Sequence, residues 1–255
     1  YGDGTFATQI KYVTGSSARF TAITDLNNDK QLDLIVINLG EGTLVTMFGC
    51  SNLVFRKQTK LLTGNNSRSR AFVIDDFNND NHIDVIVANS GTDNIGVFLG
   101  YGNFSFTNQK TYSTGLNSSP YSIAAGDFNN DTRLDVVTAN FHSDSIAVFL
   151  GYAGGSFRNR TTYSTGSSSS PYSVSVGYFN NDTYLDIIVA NYNNNKVGVF
   201  LGHGDGIFDI VMLYSMPYGS HPSSLVITDF NRNGKIDFAV INNGTDSLSI
   251  YLQTC

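Results

Sequence analysis

The chain has only two cysteines, Cys50 and Cys255. That excludes a disulfide-stapled scaffold and any zinc site of the CxxC kind. Its four histidines (His82, His142, His203 and His221) fall in different turns and do not assemble a catalytic constellation. No apolar run approaches the roughly 20 residues that cross a bilayer as a helix. No run of Lys and Arg and no basic–aromatic patch suggests a nucleic-acid groove. Good helix formers are scarce. The chain begins at Tyr1 with neither a Met nor a signal-like stretch, so we expect a mature or excised segment, a monomeric domain of a larger protein. Gly, Asn, Ser and Thr abound, with β-branched and aromatic residues between them, and this composition reads as all-β.

A nine-residue pattern recurs five times at a spacing of 51 residues: DLNNDKQLD from Asp25, DFNNDNHID from Asp76, DFNNDTRLD from Asp127, YFNNDTYLD from Tyr178 and DFNRNGKID from Asp229. Five such periods equal the 255-residue length. A fixed period in this range marks a repeat architecture, so we expect one domain over residues 1–255. Thirteen of the 21 acidic residues lie inside the pattern, while the other eight are outnumbered by 15 Lys and Arg. The acidity is therefore local. Five bound dications would carry the net charge from −6 to +4.

Oxygen-bearing side chains at positions 1, 3, 5 and 9 are how a short loop wraps a hard cation. In the first copy the donors are Asp25, Asn27, Asp29, the carbonyl of Gln31 and Asp33. The corresponding sets are Asp76, Asn78, Asp80, His82 and Asp84; Asp127, Asn129, Asp131, Arg133 and Asp135; Asn180, Asp182, Tyr184 and Asp186; and Asp229, Asn231, Asn233, Lys235 and Asp237. Position 7 contributes its carbonyl, whatever its side chain. An all-oxygen set of this size suits Ca²⁺ better than Mg²⁺ or zinc. The bland reading, Asn-Asp turns without metal, loses ground to five copies in register. Copy four has Tyr178 in place of the first Asp and copy five has Asn233 at position 5, so both should bind more weakly. Position 6 asks for a sharp turn, yet only Gly234 is a glycine there. Lys30, Thr132 and Thr183 either keep an ordinary backbone or carry strain. The apolar residue at position 8 (Leu32, Ile83, Leu134, Leu185, Ile236) is expected in the core.

The third repeat reads as four strands: residues 120–127, 134–140, 146–151 and an alternating, edge-like 157–163. Four strands with the outermost most polar describe a blade, so we expect a five-bladed β-propeller of four-stranded antiparallel blades. Residues 6–12 match an outer strand with no inner strands before it, and the last repeat has three inner strands and no outer one. The N-terminal strand should therefore join the last blade and close the ring. Cys50 and Cys255 end equivalent strands, as two free thiols or as a closing disulfide.

These loops, the AN pairs that follow (Ala88-Asn89, Ala139-Asn140, Ala190-Asn191) and the FLG turns (residues 98–100, 149–151 and 200–202) resemble the FG-GAP repeats of integrin α-subunit propellers and the related VCBS repeats. The 51-residue period, five repeats and Tyr178 depart from that pattern. The resemblance implies a secreted or cell-surface location, calcium in the loops on one face, and adhesion, carbohydrate or protein binding on the opposite face. Carried onto this chain, that face holds Tyr121, Phe141, His142, Tyr172, Tyr192 and His221. Exposed aromatic rings can stack on sugars or anchor peptides. Tyr121 and Tyr172, each following Pro in SPYS, can equally be packing residues between blades.

Three functions follow for testing. The first is a non-catalytic, calcium-stabilised recognition module with a carbohydrate or extracellular protein ligand. The second is a polysaccharide lyase or hydrolase, which would need a non-repeating cluster of acids, bases or nucleophiles. Here the acids outside the loops are scattered, though Asp93, Asp144 and Asp246 fall in equivalent turns and could ring a pore mouth. The third is a structural spacer without a ligand.

Overall fold

A computed structural model describes residues 6, 8–50, 54–103, 105–180 and 182–254. Each repeat folds into one antiparallel sheet. The first pairs β1 (Ala18–Thr24), β2 (Asp33–Asn38), β3 (Thr43–Cys50) and β4 (Val54–Leu62) in that order. The second pairs β5 (Ser69–Asp75), β6 (Asp84–Asn89), β7 (Asn94–Phe98) and β8 (Lys110–Ser113). In the third, β9 (Pro120–Gly126), β10 (Asp135–Asn140) and β11 (Ser145–Phe149) are followed by a small ribbon, β12 (Gly151–Tyr152) with β13 (Ser156–Phe157), before β14 (Thr161–Ser164) returns to pair with β11. The fourth pairs β15 (Pro171–Gly177), β16 (Asp186–Asn191), β17 (Lys196–Phe200) and β18 (Met212–Ser215). The last has three strands, β19 (Pro222–Thr228), β20 (Asp237–Asn242) and β21 (Ser247–Tyr251). Among the described residues there is no helix, and so none long and apolar enough to cross a membrane.

The second strand of each sheet is apolar at nearly every position because both its faces are covered. DVVTAN of β10 is buried throughout, with Val136 turned to the second sheet and Val137 and Ala139 to the fourth. Four clusters fill the spaces between consecutive sheets, so each sheet finds its core only against its neighbours. The outer strands β8, β14 and β18 are largely exposed, in keeping with their polar sequences. All five inner strands converge on one central cavity, lined by residues that stand 51 apart: Arg19, Arg70, Tyr121, Tyr172 and Ser223.

Two glycine-dependent contacts recur. A methyl group on Gly49, Gly100, Gly151 or Gly202 would lie 2.2–2.5 Å from the carbonyl oxygen of Leu32, Ile83, Leu134 or Leu185 respectively. Only glycine permits the end of the third strand to approach the acidic loop so closely. Between sheets, the hydroxyl of an outer-strand Tyr accepts the backbone N–H of a Phe in the next repeat: Tyr112 from Phe157 at 3.2 Å and Tyr163 from Phe208 at 3.3 Å.

Tyr12 makes that same contact with Phe55, at 3.3 Å, and meets its ring edge-on. The N-terminal segment thus sits against the first sheet as an outer strand of a neighbouring sheet would. Among the described residues the expected pairing of residues 6–12 with the last sheet is not found: residues 8–12 form no strand, and the described partner of β21 is β20. The outward face of the last sheet is open accordingly. Ile241, Leu248 and Ile250 are more than half exposed, whereas Ala139, Ile146 and Val148, their equivalents in the third sheet, are buried. Leu32 corrects the sequence reading for the same reason. Ile83, Leu134 and Leu185 pack against the sheet before them, but Leu32 has none and is exposed. The Cys50–Cys255 pairing falls outside the described residues.

Candidate functional site

The acidic loops join the first and second strands of each sheet, and the turns between second and third strands lie at the other end. The six-residue second strands separate these two faces by about 20 Å. The loop face is built the same way in copies one, two, three and five. In the third, Asp127 Oδ1 accepts the N–H of Asp131 at 3.1 Å and its Oδ2 that of Thr132 at 2.8 Å. Asn129 Oδ1 accepts the N–H of Asp131 at 3.2 Å, and Asp131 Oδ1 that of Arg133 at 3.0 Å. The oxygens of positions 1, 3 and 5 are thereby gathered inside one turn.

This geometry resolves the question at position 6. Lys30, Asn81, Thr132 and Gly234 all take the left-handed backbone, at φ 65°, 65°, 66° and 82°. Each donates its N–H to the first Asp of its loop, at 2.7, 2.6, 2.8 and 2.8 Å. Copy four has Tyr178 at that place, and Thr183 does not enter the left-handed region.

The Asp at position 9 is fully buried and locks the loop to the sheet. Asp135 accepts N–H bonds from Phe128 at 2.8 Å and Gly151 at 2.6 Å. Asp33, Asp84, Asp186 and Asp237 repeat the pair, to Leu26 and Gly49, Phe77 and Gly100, Phe179 and Gly202, and Phe230 and Gln253. Burial pushes the Asp84 and Asp135 carboxyls up to about 6, against the pull of those N–H donors and with the push of the neighbouring loop carboxylates. Burial raises Asp33 and Asp186 as well.

Whether the loops fit a cation is a matter of their donors. Every group they present is oxygen, and His82, Arg133, Tyr184 and Lys235 stand where only a carbonyl is asked for. Among the described residues no three His, Cys, Asp or Glu side chains converge as a cluster, so an ion would take a mixed set of carboxylate, amide and carbonyl oxygens. That mixture suits Ca²⁺. In the third loop Arg133 pairs with Asp131 at 2.9 Å and would have to yield part of that carboxylate.

On the opposite face the six aromatic residues named from the sequence form one continuous group. Tyr121 and Phe141 stack with ring centres 4.3 Å apart and planes 8° from parallel. Tyr172 meets both edge-on, at 5.4 and 5.9 Å. Tyr192 lies 5.6 Å from Tyr172 and stacks on His221 at 4.8 Å. His142 flanks Phe141 at 5.2 Å and is exposed. Tyr121, Phe141, Tyr172 and Tyr192, with Arg70, Ser223 and Asn243, line a cavity of about 420 Å³. Tyr121 itself is a packing residue: the Arg70 guanidinium lies 3.6 Å from its ring centre, which leaves Phe141 the other face.

Sequence reasoning missed Arg19 and Arg70, which look like ordinary polar residues of inner strands. Comparing positions 19, 70, 121, 172 and 223 would have exposed them, since the repeat reads Arg, Arg, Tyr, Tyr, Ser there. None of the turn acids Asp93, Asp144 and Asp246 lines the central cavity. Asp93 accepts N–H bonds from Asn117 and Ser119, and Asp144 from Ser168 and Ser170, all at 2.8–2.9 Å, which fastens each turn to the link entering the next sheet. An apolar cavity of about 390 Å³ between the fourth and fifth sheets, bordered by Phe179, Leu201 and Phe238, lies where other sheet pairs insert a Phe such as Phe157 or Phe208.

Four-stranded antiparallel sheets packed face to face around a central cavity place the chain among the all-β, propeller-like folds. The model of the FG-GAP-like repeat matches residues 76–138, 127–189 and 178–240, and the chain belongs to that family. No curated protein matches it in sequence. Among solved structures it is similar to an inactive variant of virginiamycin B lyase from Staphylococcus aureus bound to quinupristin (TM-score 0.63, 15% identity, 97% of this chain and 74% of that one). It is also similar to a lectin from Agrocybe aegerita that recognises non-reducing terminal N-acetylglucosamine (TM-score 0.60, 16% identity, 92% and 66%). A third is the Vibrio cholerae biofilm matrix protein Bap1 (TM-score 0.54, 16% identity, 82% and 30%). At these identities the likeness concerns the fold alone.

Proposed function

We propose that this chain is a calcium-bearing, non-catalytic recognition module of five blades, working outside the cell, that binds carbohydrate in the central aromatic cavity. One observation carries the reading: four aromatic side chains from two consecutive sheets, Tyr121, Phe141, Tyr172 and Tyr192, converge on a single cavity, at the end of the sheets away from the acidic loops. A cavity of that size takes one or two sugar rings, and aromatic walls with a few polar groups are what such sites offer. The side chains of Asp25, Asp76 and Asp127, with their partners at positions 3, 5 and 9, would hold Ca²⁺. The ion would draw loop carboxylates together without mutual repulsion. Copy four, without its first Asp, would hold the ion least well.

The lectin likeness supports a sugar ligand, whereas the lyase likeness would call for an acid–base pair in the cavity. His221 Nδ1 lies 3.0 Å from the Tyr192 carbonyl oxygen, and His203 pairs with Asp209 at 2.9 Å away from the aromatic group. A glycan array probed with the full chain in calcium and in chelator tests the reading. Binding to a defined set of glycans, lost in Phe141→Ala, is expected. An array without a hit in either buffer would overturn it.

A further inference from the structure

We propose that the central cavity selects an acidic saccharide, one whose sugar carries a carboxylate, through the guanidinium groups of Arg19 and Arg70. This rests on the carbohydrate reading above and narrows it. Both arginines lie on the innermost strands: Arg70 lines the aromatic cavity, and Arg19 lines the adjoining space bordered by Arg70, Tyr121 and Tyr172; among the described residues neither has an acidic partner. Arg19 Nη2 donates only to the Tyr172 hydroxyl, at 3.4 Å. Arg70 Nε donates to Ser90 Oγ at 3.3 Å, which leaves its two Nη groups without a protein partner.

The nearby acids are committed elsewhere. Asp93 and Asp144 accept N–H bonds from the links between sheets. Glu41, which shares a neighbouring cavity with Arg70, accepts from Ser16 N–H at 3.0 Å and pairs with Lys60 at 3.5 Å. The cavity is thus cationic at one side and aromatic at the other.

Arg70 is also held in place. Its guanidinium carbon lies 3.6 Å over the Tyr121 ring centre, and the far face of that ring is closed by Phe141, so the fork is held in place while its Nη groups stay free of protein partners. A guanidinium so presented matches a carboxylate in two parallel hydrogen bonds, which a neutral hydroxyl or an ester cannot form. Positions 19, 70, 121, 172 and 223 read Arg, Arg, Tyr, Tyr and Ser, so the two cations stand together on one side of the cavity, as expected of a site with one ligand rather than a symmetric packing feature.

The test is calorimetric titration of the full chain in calcium with trigalacturonate and with its methyl ester, which has the same rings without the charge. We expect the acid to bind about tenfold tighter than the ester at low salt, with the difference shrinking as salt rises. Arg70→Gln should abolish the preference, so that the acid binds no tighter than the ester. Arg19→Gln, at an exposed position, provides a second variant whose folding is not at stake. Equal affinity for acid and ester, or a preference that survives both substitutions, would overturn the proposal while leaving a neutral-sugar module standing. Failure of both saccharides, with an empty glycan array, would remove the carbohydrate reading as well.

Discussion

The backbone N–H of Thr132 donates to Oδ2 of Asp127 at 2.8 Å while Thr132 itself sits at φ 66°, a region β-branched residues avoid. The carboxylate holds the loop in a conformation its sequence resists. Thr132→Gly should therefore be neutral or stabilising by up to about 1 kcal/mol, because the left-handed penalty it removes offsets the added freedom of the unfolded chain. Thr183→Gly, at a residue outside that region, should destabilise by a similar amount. Urea denaturation midpoints distinguish them, and equal shifts would show that the two loops share one backbone.

Calcium should raise the melting temperature of the full chain, and a chelator should lower it, since binding to the folded loops alone stabilises them. Asp127→Ala should remove one strong site from the calorimetric isotherm, and Tyr178→Asp should add or tighten one. A melting curve indifferent to both calcium and chelator would dispose of the metal reading.

In chelator, stability should fall as pH rises from about 4 to about 6. Asp84 and Asp135 hold their protons up to about 6 in the fold against 3.8 as the ordinary value, because burial disfavours their charge. A group that binds its proton more tightly in the fold contributes stability that is complete below its unfolded pKa and is lost above its folded one. At roughly 1.4 kcal/mol per unit, reduced by water near the loop, the two groups together should cost a few kcal/mol. Melting curves at stepped pH would show the decline, and Asp84→Asn should flatten it.

The open and covered faces offer a matched pair. Val148→Ser, at a site 1% exposed, should cost about 2–4 kcal/mol, whereas Ile250→Ser, its equivalent two repeats on and 53% exposed, should change stability little. Comparable losses would mean that something covers the last sheet in solution.

Much of this was legible in the sequence because the period fixes the spacing of everything else. The five sheets, the five acidic loops and the aromatic group all follow from residues that recur 51 apart. What escaped depends on neighbours rather than on a residue's own pattern. Leu32 has the same motif as Leu134, but is exposed because no sheet lies before it. Residues 8–12 look like a strand, yet only Tyr12 finds the partner expected of one. Asp135 reads as a loop ligand, and its use as a double acceptor for Phe128 and Gly151 required the third strand's position. Arg70 was missed because its significance lies across the cavity, on Tyr121 of the next repeat.

The bonds of Asp135 also bear on how such a chain can grow. Its two donors, Phe128 and Gly151, lie 7 residues before and 16 residues after it, within one 51-residue unit. A duplication of that stretch of coding sequence would carry the carboxylate and both N–H groups together, so a new copy would arrive with its most costly buried charge already satisfied. The Tyr–Phe bonds, the bonds of turn acids such as Asp93 and Asp144 to the next link, and the apolar faces would have to be matched to a new neighbour, and those are supplied by a repeat of the same kind. The tally of repeats can therefore drift over generations while the interior of each remains under strict selection.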